Sequence, residues 1–230
     1  MTRLLVHVEG QTEEEFVNEI LRDHLLARGY SAVGARIMGN ARLRRQRGGI
    51  RPWPSARKDI VNHLREDPTC FATTMVDYYG LPAAGDSAWP GRAMAASLNR
   101  EKKAPCVESA VLDDVIAEMG SRFDPRRFVP FVVMHEFEGL LFSDCAGFSR
   151  AIGRPDLEAG LRGIRDQFPT PEDINDSPIT APSKRIMDLV MGYDKPFMGP
   201  FAALEIGLGC MRRECPHFND WLVRLESGRL

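Results

Sequence analysis

The stretch Arg3-Leu4-Leu5-Val6-His7-Val8-Glu9-Gly10-Gln11-Thr12-Glu13-Glu14-Glu15-Phe16 decides how the rest of the chain is read. Its first six residues, mostly leucine and valine, predict a buried strand. The run stops at Glu9-Gly10, and a helix follows. Thr12 with Glu15 three residues later has the spacing of a capping box, and acids in a first turn suit the positive end of a helix. Phe16, Val17, Ile20, Leu21, His24 and Leu25 keep helical spacing until Gly29. A strand-turn-helix opening puts Glu9 at the carboxyl end of a strand. Open α/β sheets bind their ligands at that edge.

Working outward, further strands are expected over residues 32–38, 71–76 and 128–134. Helices are expected over 55–65 and 108–119, with long connections at 42–54 and 81–104. Beyond Asp144 the pattern becomes helical, over 156–168, 183–191, 201–215 and 218–226. The alternation followed by helices predicts an α/β fold, a mostly parallel sheet flanked by helices over residues 1–144. A mainly helical annex, residues 145–230, packs on it.

The 230 residues are 43% hydrophobic and 27% charged, enough to build a core without disulfides or a structural metal. The five cysteines show no pairing pattern and read as reduced thiols. No apolar run reaches the ~20 residues of a membrane helix, and Glu9 falls where a signal peptide would still be apolar. A cytoplasmic protein without a membrane partner is expected. Lys and Arg number 30 against 32 Asp and Glu, a net charge of −2, so any site for a polyanion must be local.

Three expected strands finish in carboxylates: Glu9, Asp77, and the pair Glu136 and Glu138. Hard oxygen ligands in a row suit Mg²⁺, which is held by one or two carboxylates together with waters and phosphate oxygens. Like charges brought together at low dielectric also need a cation or protons to neutralise them. The plainer alternative is that each acid caps a helix or faces water.

A second feature is the absence of any acid between Asp23 and Asp59. Arg42, Arg44, Arg45, Arg47 and Arg51 lie in that window and suit phosphate oxygens, with Trp53 as a candidate to stack on a base. A solvated loop or a contact to an acidic partner is the alternative. Lys184 and Arg185, at an expected helix start, could add a phosphate contact. Cys210, Cys215 and His217 fit no standard zinc spacing and read as a packed helix end. No phosphate-cradling Gly-rich loop precedes a Lys-Ser/Thr pair. The Met and Phe residues read as core.

Glu9-Gly10-Gln11-Thr12-Glu13, the strand ending at Asp77 with Gly80 after it, and the later acidic strand resemble the Toprim domain of topoisomerases, bacterial primases and overcoming-lysogenization-defect nucleases. Over nearly its full length the chain is similar to a bacterial Toprim-like family catalogued as a domain of unknown function. That resemblance rests on residues 8–13, His135-Glu136-Phe137-Glu138-Gly139-Leu140-Leu141-Phe142, Ala181-Pro182-Ser183-Lys184-Arg185-Ile186 and Cys215-Pro216-His217-Phe218. It implies Glu9 as acid/base or metal ligand and Asp77 as the first acid of an Asp-x-Asp pair. Tyr79 stands where the second would be, so Glu136 or Glu138 is expected to supply the missing oxygen. The expected function is a Mg²⁺- or Mn²⁺-dependent nuclease acting on DNA or RNA, with Glu9 and Asp77 catalytic. The resemblance further implies an anti-phage or mobile-element setting and an ATPase partner. The alternatives are a non-catalytic Toprim-like module working with that ATPase, and a phosphotransfer enzyme acting on a small nucleotide.

Overall fold

The structure is a computed structural model and describes residues 2–39, 50–174 and 180–227. Five parallel strands form the sheet: β1 (Arg3–Val8), β2 (Ala32–Ile37), β3 (Cys70–Asp77), β4 (Phe128–Val129) and β5 (Val132–Val133). Their order is β2-β1-β3, with β4 and β5 end to end along the outer edge of β3. The fold is α/β, as expected.

The strand expected over 128–134 is split. β4 and β5 keep one register against β3, Thr73 opposite Val129 and Val76 opposite Val132. Pro130 interrupts the ladder between them because it has no N–H to donate. The threonines of β3 fill the gap. The Thr74 hydroxyl accepts from the Phe131 N–H and donates to the Phe131 carbonyl, both at 2.9 Å, and the Thr73 hydroxyl donates to the Val129 carbonyl.

After β1 the chain runs through α1 (Gln11–Phe16), a π-helical stretch at Val17–Leu21 and α2 (Arg22–Ala27). The cap differs from expectation. Gly10 is the capping residue, and its N–H donates to the Glu13 carboxylate at 2.9 Å. The helix starts before Thr12, which moves the capping acid from Glu15 to Glu13. α3 (Trp53–Glu66), α4 (Arg92–Ala95) and α5 (Arg100–Met119) follow. α5 begins eight residues before its expected start and carries Pro105.

The remaining helices are α6 (Cys145–Ala151), α7 (Glu158–Arg165), α8 (Pro182–Leu189), α9 (Lys195–Ile206), α10 (Leu208–Glu214) and α11 (Pro216–Ser227). The helix expected over 201–215 is two helices, α9 and α10. They break at Gly207, whose φ of +78° leaves the helical region at little cost to glycine.

Both faces of the sheet are covered. Leu4, Val6, Val8, Phe131 and Val133 pack with Phe16 and Leu21 and with Ala202, Phe218 and Trp221 of the C-terminal helices. The other face packs Ala72, Val76 and Val132 against α3 and α5. The C-terminal helices thus share a core with the sheet. Trp221 seals the junction: its Nε1 donates to the Thr73 hydroxyl at 2.8 Å, and its ring stacks on Phe131 with centroids 4.3 Å apart.

Two sequence expectations are corrected. Trp53 does not offer its face to a base: it is buried, donates Nε1 to Asp114 at 2.9 Å and packs on Trp89. Met94, Met187, Met191, Phe197 and Phe201 are exposed rather than core. Periodicity cannot distinguish the apolar outer face of α9 from its buried one.

Candidate functional site

The parallel register brings the carboxyl ends of β1, β3 and β5 together. Val8 pairs with Met75 and Asp77 pairs with Val133, so Glu9, Asp77 and the 134–138 segment share one edge. Glu136 precedes a 3₁₀ stretch at Phe137–Ser143. Its backbone turns back on β3, and the Phe137 N–H donates to Asp77 Oδ1 at 2.9 Å.

The carboxylates feel one another. Burial, with Glu13 next, pushes Glu9 up to about 7, while the Asp77 backbone N–H pulls it back. Asp77 is raised well above the usual carboxylate range by burial and then by Glu9, Glu13 and Glu138. Burial also raises Glu13. Glu138 is only 1% exposed, and burial pushes it up to about 7 against the pull of Lys195. These shifts are those of charges gathered at low dielectric.

Four of these acids come from the positions the sequence singled out, Glu9, Asp77, Glu136 and Glu138. Two residues join them that the sequence reading placed elsewhere. Glu13, read as an ordinary first-turn acid, is buried in the cluster. Lys195, at the first position of α9, sets its Nζ 2.9 Å from Glu138 Oε2 and also lowers Glu9 and Asp77. Its signal in the sequence was slight, an Asp-Lys-Pro at a helix start.

Not all of the carboxylates are equally available. Glu136 gives Oε2 to the Ser183 N–H at 2.9 Å and so caps α8, the plainer role for such an acid. Glu138 is held by Lys195. Glu9 Oε2, in contrast, is enclosed and has no hydrogen-bond donor among the described residues. Gly80 lies against it: a Cβ there would stand 3.4 Å from that oxygen, at van der Waals contact. Glu9 and Asp77 carry hard oxygens, the ligand type that Mg²⁺ or Mn²⁺ takes together with waters and phosphate oxygens. Among the described residues, no group of three or more His, Cys, Asp or Glu stands ready to hold a metal by side chains alone.

The segment 42–47, with Arg42, Arg44, Arg45 and Arg47, lies outside the described residues. Its described flank leaves the sheet beside Glu9, where the Met38 N–H donates to the Val8 carbonyl. Arg51 is folded back, its Nε donating to the Met38 carbonyl at 3.2 Å. Arg185 donates Nε to the Thr180 carbonyl at 2.8 Å, whereas Lys184 is exposed in the first turn of α8. His217 pairs with Glu108 at 2.9 Å, and Cys210 and Cys215 both contact Ser143. These three do not form a zinc set.

The family model described as Domain of unknown function (DUF4276) matches residues 8–226. The chain belongs to the DUF4276 family. No match is found among curated proteins or among solved structures. The DUF4276 match runs from the last residue of β1, just before Glu9, to the end of α11. It therefore spans every member of the acidic edge, Lys195 included.

Proposed function

We propose that this protein is a Mg²⁺- or Mn²⁺-dependent enzyme that cleaves phosphodiester bonds in nucleic acid. The observation that carries the reading is the pair Glu9 and Asp77 at the ends of adjacent parallel strands. Both hold protons more tightly than ordinary carboxylates, and Glu9 keeps an oxygen without a donor. A divalent cation would replace those protons.

When bound, the metal supplies polarisation of a phosphoryl oxygen and a more acidic water. The chain's own groups do the rest. Glu9 would be the group that takes a proton from the attacking water. The Phe137 N–H fixes Asp77 Oδ1 and so orients its other oxygen. Lys195 offsets the charge of Glu138 behind them. Arg42, Arg44, Arg45 and Arg47, with Lys184, would track the phosphate backbone of DNA or RNA. Kinship with Toprim nucleases, a prokaryotic defence or mobile-element setting and an ATPase partner belong to this reading through the sequence resemblance.

A second reading is a non-catalytic Toprim-like module acting with such an ATPase. It is favoured by the engagement of Glu136 and Glu138 and by Tyr79 at the position of the second Asp. Cleavage of single-stranded, duplex and RNA substrates with Mg²⁺ or Mn²⁺ separates the two. Cutting that is lost in Glu9→Gln and Asp77→Asn supports the enzyme. Cutting that persists in both variants rejects the assignment, and a wild type inert on all substrates leaves the module.

A further inference from the structure

α9 turns one side into the core and leaves the other bare. Gly199, Pro200, Ala202, Ala203 and Ile206 are buried. Phe197, Phe201 and Leu204 are 72%, 55% and 57% exposed. Their spacing of i, i+4 and i+7 sets the three side chains in one seam along the helix. At about 200 Å² for a large side chain, the seam shows roughly 370 Å² of apolar surface to solvent. Patches of that size on a monomer mark contact sites.

The charges around the seam decide what fits it. From Pro196 to Leu204 the helix has no ionisable side chain. The ammonium of Lys195, just before, is turned to Glu138. A nucleic acid therefore finds no counter-charge along the seam. Nor does the seam have the row of Lys and Arg with which surface helices meet anionic lipid. Its two ends differ in sign. Asp194, at the N-terminal end, is exposed and has no ion pair among the described residues. At the C-terminal end, beside Glu205, stands Arg150. These two are half-exposed and reach each other only at 3.5 Å.

We propose that this face of α9 is where two copies of the chain pair as an antiparallel, two-fold dimer. A two-fold axis at Phe201 sets it on Phe201 of the partner subunit and sets Phe197 on Leu204 of the partner subunit. Asp194 then meets Arg150 of the partner subunit, and the two helix dipoles oppose. The seam is thus complementary to itself in shape and in charge. Two seams together supply roughly 740 Å² of apolar core, about half of a standard interface, and the rest is polar rim. The pairing helix is the one that carries Lys195 in its first turn, so each acidic edge is tied to the joint.

The test is sedimentation equilibrium of the full chain. A mass twice that of one chain is expected for the wild type, and the mass of one chain for Phe197→Glu/Phe201→Glu. Leu204→Lys gives the same result from the other end of the seam. All three positions are exposed, so circular-dichroism melts of the variants match those of the monomer. Asp194→Lys weakens the dimer roughly tenfold, because two ion pairs become repulsions, and Arg150→Glu in the same chain restores it. Met94→Glu, an equally exposed apolar position on α4, leaves the dimer intact. The proposal is overturned by a wild type of single-chain mass up to about 100 µM, or by a dimer that persists in the phenylalanine double variant. A dimer broken equally by Met94→Glu, or a charge reversal without rescue, overturns it as well. A single-chain wild type that cosediments with phosphatidylserine-containing vesicles assigns the seam to lipid instead.

Discussion

Lys195 Nζ lies 2.9 Å from Glu138 Oε2, and Glu138 is 1% exposed. An ammonium from the first turn of α9 thus neutralises an acid from the 3₁₀ stretch after β5. It also lowers the energy of Glu9 and Asp77 in their charged forms. The acidic edge is assembled around this cation, and the remaining negative charge is left for protons or a metal.

Removing the cation is expected to destabilise the fold. Lys195→Met leaves Glu138 buried alone. The loss should be about 2–3 kcal/mol at pH 8, below the full value for a buried pair because Lys195 is partly exposed. It should be smaller at pH 5, where Glu138 takes a proton. Urea unfolding at both pH values checks this, and equal midpoints for variant and wild type at pH 8 would contradict it.

Glu9 gives a pH signature of the opposite sign to most carboxylates. Its folded value, about 7, is above its ordinary 4.5. Stability linked to it is therefore complete below about 4.5 and is lost as pH rises through about 7. Glu9→Gln should accordingly match wild type near pH 4.5 and be more stable by about 1–2 kcal/mol at pH 8. His7, which burial lowers to about 3, titrates in both proteins and cancels in the comparison. A variant no more stable than wild type at pH 8 would show that Glu9 is not strained.

Metal should act on the same charge. Millimolar Mg²⁺ or Mn²⁺ is expected to raise the melting temperature of the wild type at pH 8 by a few degrees and to do little at pH 5, where protons occupy the site. In Asp77→Asn the rise should disappear. Differential scanning calorimetry reads it directly, and a rise that is the same in Asp77→Asn places the metal elsewhere.

Glu136 should separate from its neighbours. Glu136→Gln loses the charged cap on α8, a cost of about 1 kcal/mol, and should keep metal-dependent stabilisation. Loss of that stabilisation would make Glu136 a ligand rather than a cap. Circular-dichroism melts with and without Mn²⁺ distinguish the two.

Trp221→Phe tests the joint between the C-terminal helices and the sheet. It removes the hydrogen bond to Thr73 and part of the stack on Phe131. A loss of roughly 2–3 kcal/mol is expected in chemical unfolding, from the missing volume and the lost bond. A loss below about 0.5 kcal/mol would show that the joint contributes little.

The run Arg3–Val8 with Glu9 behind it, and the acid ending β3, were legible because strand burial and strand ends are local properties of the chain. The sequence by itself therefore determined the α/β class and the row of acids at strand ends. It could not show that Pro130 splits one strand into two, because the repair comes from the hydroxyls of Thr73 and Thr74 on the neighbouring strand. Nor could it show that Trp53 is buried by Trp89 and Asp114.

Only the tertiary structure decided which acids keep their charge to themselves. Glu136 is committed by the start of α8 and Glu138 by Lys195, both far along the chain. Glu13 joined the group because the helix began before Thr12 and turned that side chain back toward Gly10. Electrostatic energy depends on distance through space and on burial. Local pattern specifies neither, so the difference between an acid that can bind and an acid that only braces the fold emerges when the helices close over the sheet.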